Sequence, residues 1–151
     1  MSVNDERERD LATIKELHNG WVVANETADV EWLRAHVHPD FVMWNTVGAD
    51  FYGQAEIIDL WLRLREMMAS VGSGRAVSEA WGDEYLISGD LAVVHCHALL
   101  KVDFGQGAGA EAGGDLDREF RCTEVYRRDG EQWRMIHYHG SPHLPGLLGG
   151  R

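Results

Sequence analysis

The stretch Arg118–Pro142, REFRCTEVYRRDGEQWRMIHYHGSP, is the most informative part of this chain. Two runs of alternating apolar and polar residues flank the Asp-Gly pair at 129–130, which is typical of the turn of a β-hairpin. The second run separates Tyr138 on one face from His137 and His139 on the other. Ionisable residues that alternate with apolar ones in these strands indicate that the sheet lines something other than a hydrophobic core alone.

The other elements follow from the spacing of apolar residues. Helices are predicted over residues 5–26, 29–37 and 54–70, and strands over residues 41–47, 76–88, 91–103, 118–128 and 132–140. Residues 48–53 are predicted as a turn region, 71–75 as a linker and 104–117 as a Gly-rich loop. Three helices with one strand between them, followed by a four-stranded meander, predict an α+β fold. A twisted antiparallel sheet would curl around the helices and form a cone-shaped cavity.

Length and charge exclude several classes of protein. The chain has 151 residues, 44% of them hydrophobic, which fits one globular domain, with irregular tails expected at 1–7 and 144–151. The net charge of -11 disfavours nucleic acid and anionic membrane surfaces as partners. No apolar run approaches the about 20 residues that span a bilayer, and no signal peptide is visible. Cys96 and Cys122 are therefore expected as thiols in a cytoplasmic protein.

Two segments carry a resemblance to a known superfamily. NETADVEWLRAHVHPDFVMWNTVGADFYGQAEI at 25–57 and RCTEVYRRDGEQWRMIHYHGSP at 121–142 resemble the SnoaL-like, ketosteroid-isomerase-like and nuclear transport factor 2-like proteins. The second segment is most similar to bacterial SnoaL-like proteins and to the association domain of calcium/calmodulin-dependent kinases. The resemblance covers about residues 8–143 and implies a cystatin-like α+β roll, a curved antiparallel sheet wrapped around three helices.

The resemblance also constrains the chemistry, position by position. Asn45 stands where ketosteroid isomerases keep their proton-shuttling aspartate, and an amide cannot act as that base. Trp21 stands where they keep an oxyanion tyrosine, and its indole donates a hydrogen bond without transferring a proton. The pocket arginines of the kinase association domains fall on Ala98, Thr123 and Gly140. The resemblance therefore implies neither steroid isomerisation nor that anion-binding set.

The same alignment predicts which side chains face the cavity. A two-residue Asp-Gly loop would set Arg121 opposite Tyr138 and Thr123 opposite Ile136. Eight residues are expected on this face: Asn45, Cys96, Ala98, Arg121, Thr123, Ile136, Tyr138 and Gly140.

Arg121 is the sharpest of these candidates, because an unpaired buried guanidinium is costly and needs an anion. On one interpretation, Arg121 and Tyr138 hold a substrate carboxylate, phenolate or enolate. On the other, Arg121 reaches solvent at a strand end or pairs with an internal acid such as Glu119 or Asp50.

Four histidines, with Cys122 on the strand between them, are expected on the opposite, convex face: His95, His97, His137 and His139. His95 and His97 form one pair and His137 and His139 a second, and two histidine pairs on one sheet face are candidate metal ligands. The alternative is that they are hydrogen-bonded at a homodimer interface. A phase error of one residue would exchange all these face assignments.

These observations predict a small-molecule-binding protein, with a cofactor-independent acid–base enzyme (lyase, isomerase, cyclase or hydrolase) as first interpretation. Its substrate would be a small carbonyl, enol or aromatic compound. The expected catalytic residues are Arg121, Tyr138, Asn45 and His18, and the expected ligand-binding residues are Trp21, Cys96, Ala98, Thr123, Ile57 and Trp61. A non-catalytic ligand-binding or oligomeric assembly module and a histidine metalloprotein are the alternatives. A homodimer through the convex sheet face is expected in each case.

Overall fold

The computed structural model of the chain describes residues 1–46, 49–70, 75–103, 116–146 and 148–150. Nine elements follow one another: α1 (Val3–Thr27), α2 (Val30–His36), β1 (Val37–Trp44), β2 (Asp50–Tyr52), α3 (Gln54–Ser70), β3 (Arg75–Ser88), β4 (Leu91–Asp103), β5 (Leu116–Asp129) and β6 (Gln132–Pro142). Most of the predicted linker at 71–75 and of the Gly-rich loop at 104–117 lies outside the described residues.

The first helix begins earlier than predicted. Ser2 caps α1, because its hydroxyl accepts from the backbone N–H of Asp5 and the Asp5 carboxylate accepts from the backbone N–H of Ser2. The expectation of an irregular tail at 1–7 was therefore wrong. Ala28, with φ 49°, ends the helix in the left-handed conformation. The buried face of α1 consists of Ile14, Leu17, His18, Trp21 and Ala24.

The six strands form one curved, unclosed sheet in the order β2-β1-β6-β5-β4-β3. Neighbouring strands are antiparallel except β1 and β6, which run parallel. β2, in the segment predicted as a turn region, adds a short edge strand beside β1. Buried residues of the three helices and of the concave sheet face form a single core. The α+β roll is thus confirmed, with one strand more than the sequence predicted.

The register between β5 and β6 differs from the prediction. Asp129 pairs with Gln132, so that the two loop residues are Gly130 and Glu131, and a bulge lies between Val125 and Tyr126. These two features shift the pairing by three residues beyond the bulge. Because an odd shift moves every side chain to the other face, the predicted phase of β5 was wrong.

Candidate functional site

The concave face of the sheet holds much of the predicted ligand-binding set. Cys96 and Ala98 of β4 and Tyr138 of β6 are buried there, as predicted. Trp21 from α1 lies against Tyr138, with ring centroids 5.2 Å apart, and stacks on Trp61 of α3 at 5.5 Å. The helices and the sheet therefore enclose an aromatic-rich interior, to which Ile57 also belongs.

Arg121 and Thr123 do not belong to this interior. In the observed register Arg121 pairs with Ser141 and Thr123 with His139, and neither residue is buried. The exposed Arg121 guanidinium donates to the Ser141 hydroxyl over 3.4 Å. The prediction that they face the cavity was wrong because the bulge makes the total shift of the pairing odd. Glu124, and not Arg121, lies opposite Tyr138.

The predicted cavity positions at the ends of β1 and β6 meet each other. Asn45 is half-buried just after β1, next to Thr46. A Cβ atom added to Gly140 would collide with the Thr46 hydroxyl and lie 3.3 Å from the Tyr138 hydroxyl. Gly140 therefore allows β6 to approach Thr46 closely. The half-buried Ile136 lies at the bulge, where it has no partner residue in the β5 register.

The chemically distinctive feature of the interior is a buried imidazole–carboxylate pair. His18 and Glu124 are each 1% exposed. His18 Nδ1 lies 2.9 Å from Oε2 and 3.0 Å from Oε1 of Glu124. The Tyr126 hydroxyl donates to the same carboxylate over 2.7 Å. The buried carboxylate is thus held by two donors, as a buried ionisable group requires.

A second carboxylate reaches His18 from the edge of the sheet. The pairing of β3 with β4 is interrupted between Trp81 and Glu84, and Gly82 there has φ 66°. This bulge brings Asp83 Oδ2 to 3.4 Å from His18 Nε2, and the Asp83 side chain is 28% exposed. Asp83, His18, Glu124 and Tyr126 therefore form a continuous polar chain from the protein surface to the interior, which we call the inner relay.

The charge state of the inner relay follows from its surroundings. Burial, the largest single effect, lowers the pKa of His18, and the hydrogen bond and the charge of Glu124 are the main effects that oppose it. With smaller contributions from Cys96 and Asp83, they raise this pKa to about 9. His18 is therefore an imidazolium at neutral pH. Near its open end, burial raises the pKa of Tyr85 to about 12, and the Lys15 ammonium lies 5.6 Å from the centre of that ring.

Two thiols and a phenol adjoin the inner relay. Cys96 and Cys122 face each other across β4 and β5 with their Sγ atoms 3.0 Å apart, and both are buried thiols. Cys122 was expected on the convex face with the histidines, which was wrong because β5 has the opposite phase. The hydrogen bond to Cys96, together with burial, raises the pKa of Cys122. Burial likewise raises the pKa of Tyr138, which remains a hydrogen-bond donor.

A small cavity lies at one end of the interior, between α1, α3, β3 and β4. Its volume is about 50 Å³, room for a few water molecules. Its lining is largely apolar: Asn25, Ala28, Trp61, Leu64, Met68, Ala76, Leu100 and Val102. Leu100 and Cys96 are four residues apart in β4, about 13 Å along the strand. The Trp21 indole contacts both Trp61, which lines this cavity, and Tyr138, which lies opposite Glu124 of the inner relay.

The four histidines of the convex face are placed as predicted. His97 and His137 are half-buried, whereas His95 and His139 are exposed. His137 Nδ1 donates to the Val42 carbonyl over 2.9 Å. Of the described residues, the groups whose metal-binding atoms lie within 4.8 Å of one another are His18, Cys96 and Glu124 in the interior, and His97, Glu119 and His143 outside. Neither group joins the two histidine pairs.

Sequence reasoning missed Glu124, Tyr126 and Asp83 and placed only His18 of the inner relay near the cavity. A signal for Glu124 was present, because Phe120, Cys122 and Tyr126 alternate with it as an apolar series, typical of the buried face of a strand. For Asp83 the signal was Gly82 within a strand, which often marks a bulge.

Comparison with known proteins agrees with this architecture. No curated protein matches the sequence significantly. A nuclear transport factor 2-like protein of unknown function from Pseudomonas putida KT2440 is 26% identical, with a TM-score of 0.67, and the match covers 99% of this chain and 94% of that one.

Two further solved structures share the fold. An uncharacterized protein with a cystatin-like fold from Caulobacter vibrioides is 18% identical, with a TM-score of 0.69 over 87% of this chain and 88% of that chain. A proposed dehydratase of the nuclear transport factor 2-like family from Streptomyces avermitilis is 15% identical, with a TM-score of 0.71 over 92% and 99%.

In the described part of the chain, none of the helices combines the length and the apolar character that a membrane-spanning segment needs.

The model of the SnoaL-like domain matches residues 14–145, nearly the whole chain. The chain therefore belongs to the SnoaL-like domain family.

Proposed function

We propose that this protein is a cofactor-independent acid–base enzyme that moves a proton on a small carbonyl, enol or aromatic compound bound inside the cone. The inner relay carries this proposal, because it places an imidazolium and a carboxylate together in an otherwise apolar interior. Such a pair supplies both a proton donor and a proton acceptor, which eliminations and isomerisations next to a carbonyl require.

Each member of the inner relay has a role in this proposal. Glu124 takes the proton from the carbon next to the carbonyl, and His18 supplies the proton that is returned to the substrate or to a leaving hydroxyl. Asp83, which is partly exposed, exchanges that proton with solvent. Tyr138 donates a hydrogen bond to the developing oxyanion. The role that the sequence shared between Arg121 and Tyr138 thus falls to Tyr138 alone, which is buried.

The ligand would enter from the apolar cavity beside Trp61. Because Trp21 contacts both Trp61 and Tyr138, the indole has to move before a ligand reaches the inner relay. The proposal therefore includes an opening motion of Trp21. The proposed dehydratase among the structural relatives supports a lyase, the elimination of water from a β-hydroxycarbonyl compound, as the first reaction to test.

The test does not require a known substrate. Small ketones, β-hydroxyketones and aromatic enols are incubated with the protein in D₂O, and exchange of the protons next to the carbonyl is followed by NMR. Glu124→Gln and Tyr138→Phe should each lower the exchange rate by at least about 100-fold, as loss of a general base or an oxyanion donor does. Arg121→Ala, on the exposed face, is the matched control and should exchange like the native protein.

A second function, a non-catalytic ligand-binding or assembly module, is favoured by one observation. Both ring nitrogens of His18 already face carboxylates, as they would in a purely structural ion pair. If no compound undergoes exchange, the enzyme proposal fails. A compound that then changes the tryptophan fluorescence favours the ligand-binding module, and no change with any compound favours the assembly module.

We also propose that two copies associate through the convex face of the sheet. The part of this face formed by β1 and β6 carries Trp44, which is 45% exposed, and large exposed aromatic side chains are typical of interfaces. Light scattering tests the proposal, since a monomer at all concentrations would contradict it. A cytoplasmic location is proposed on the two thiols of Cys96 and Cys122.

A further inference from the structure

Three strands bring two histidines and a glutamate together on the convex face, outside the interior site. Glu119 of β5 lies opposite Leu99 of β4, and His97 is two residues before Leu99 on the same face. His143, just after β6, donates its backbone N–H to the Glu119 carbonyl over 3.1 Å. The backbone therefore fixes all three residues relative to one another. We call His97, Glu119 and His143 the outer triad.

The donor atoms of the outer triad are close enough for a single ion. Each residue offers one ligand atom within 4.8 Å of those of the other two. His143 Nδ1 and Glu119 Oε1 are 3.2 Å apart. Ligand bonds of about 2.0–2.1 Å at tetrahedral angles place donor atoms about 3.3 Å apart. One edge of the triad already has this length, and the exposed Glu119 side chain can turn to complete the others.

The two imidazoles are held in place by their neighbours. The His97 ring stacks on Trp81 at 6.1 Å between centroids and meets the His143 ring at 4.7 Å. The His143 side chain is 13% exposed, whereas that of Glu119 is 52% exposed. The site therefore has two packed imidazoles, an exposed carboxylate and one side open to solvent.

The local charge is mixed. Arg121 is the pairing partner of His97, and its positive charge disfavours binding of a cation nearby. The Arg121 guanidinium also donates a hydrogen bond to the Ser141 hydroxyl. Lys101 lies on the same strand as His97, four residues further. The Glu119 carboxylate and the net charge of -11 favour a cation. Metal–imidazole bonds, and not bulk electrostatics, must therefore supply most of the affinity.

We propose that the outer triad binds Zn²⁺ through two imidazole nitrogens and one carboxylate oxygen, with a water molecule at the fourth position. Two histidines and a glutamate form a ligand set that zinc uses where one coordination position remains open. This site differs from the pairing of His95 and His97 with His137 and His139 that the sequence suggested. It is also independent of the inner relay, because the two lie on opposite faces of the sheet.

The experiment is a calorimetric titration of Zn²⁺ into chelator-treated protein that carries no affinity tag. We expect one zinc per chain with a Kd in the micromolar range or below. A parallel titration with Co²⁺ should give the visible absorption bands of a four-coordinate cobalt ion. His97→Ala and His143→Ala should each weaken zinc binding by at least about 10-fold, because loss even of a group that only supports a ligand typically costs about 10- to 100-fold in affinity.

The matched control is His139→Ala, which removes an exposed histidine of the same face outside the outer triad and should leave the zinc Kd within about twofold. Circular dichroism shows that each variant is folded. Absence of zinc binding by the native protein would overturn the proposal. So would binding that survives both His97→Ala and His143→Ala, or binding that His139→Ala abolishes, since either result places the ion elsewhere.

Discussion

Replacement of Glu124 by glutamine removes the buried charge that holds a proton on His18 and preserves the shape of the side chain. The pKa of His18 rises from 6.5 to about 9 chiefly through Glu124, against the effect of burial. Without this carboxylate, the effect of burial on the pKa of His18 is the stronger one. Protonation of the His18 imidazole then becomes unfavourable. Glu124→Gln should therefore make His18 neutral at pH 7.

The size of the effect follows from linkage. A shift from 6.5 to about 9, at about 1.4 kcal/mol per pKa unit, contributes at most about 3 kcal/mol to the free energy of unfolding. Because the folded-state pKa is raised, this contribution is complete below about pH 6.5 and is lost as the pH rises through about 9. The native protein should thus become less stable across this window, and Glu124→Gln should not show this loss.

Denaturant unfolding at about pH 6 and about pH 9.5 measures the effect. The difference in unfolding free energy between the native protein and Glu124→Gln should approach 3 kcal/mol at the lower pH and shrink at the higher one. Glu84→Gln is the matched control, because Glu84 lies 3.9 Å from His95 with both side chains exposed; such a pair contributes at most about 1 kcal/mol. An equal alkaline loss in Glu124→Gln and in the native protein would show that Glu124 does not hold the proton on His18.

Three further predictions concern the faces of the sheet. Arg121→Ala should change the free energy of unfolding by less than about 0.5 kcal/mol, because the side chain is exposed; a loss above 2 kcal/mol in denaturant unfolding would mean that it is buried. Gly140→Ala should cost about 1–3 kcal/mol through the collision with Thr46, and an unchanged melting temperature would contradict this contact. Cys96 and Cys122 should react with a thiol reagent only after denaturation, since both are buried; rapid labelling of the folded protein would argue against their position on the inner face.

Much of the fold was predictable because it depends on patterns that repeat over many residues. The apolar spacing in α1 and α3 and the alternation in β3 to β6 each involve ten or more positions, so a single exception does not change the result. The short β2 was missed because three residues carry too little pattern to separate a strand from a turn.

The site depended instead on one local feature. In the hairpin of β5 and β6, the turn lies one residue later than expected, which shifts the pairing by two residues and leaves the faces unchanged. The bulge at Ile136 of β6 adds a third residue to the shift, and this odd shift changes the phase of β5 relative to Tyr138. Sequence spacing does not report a bulge directly, and the result was Arg121 assigned to the interior in place of Glu124. The prediction for His18 was safer, because a helix that buries Trp21 also buries a residue one turn before it.

An NMR titration of the His18 imidazole in the native protein shows whether the interior holds a charged acid–base pair. The pairing with Glu124 and Asp83 predicts a midpoint at about pH 9, well above that of an exposed histidine. A midpoint at or below about 6.5 would contradict the account, because the interior would then hold a neutral imidazole and no charged acid–base pair.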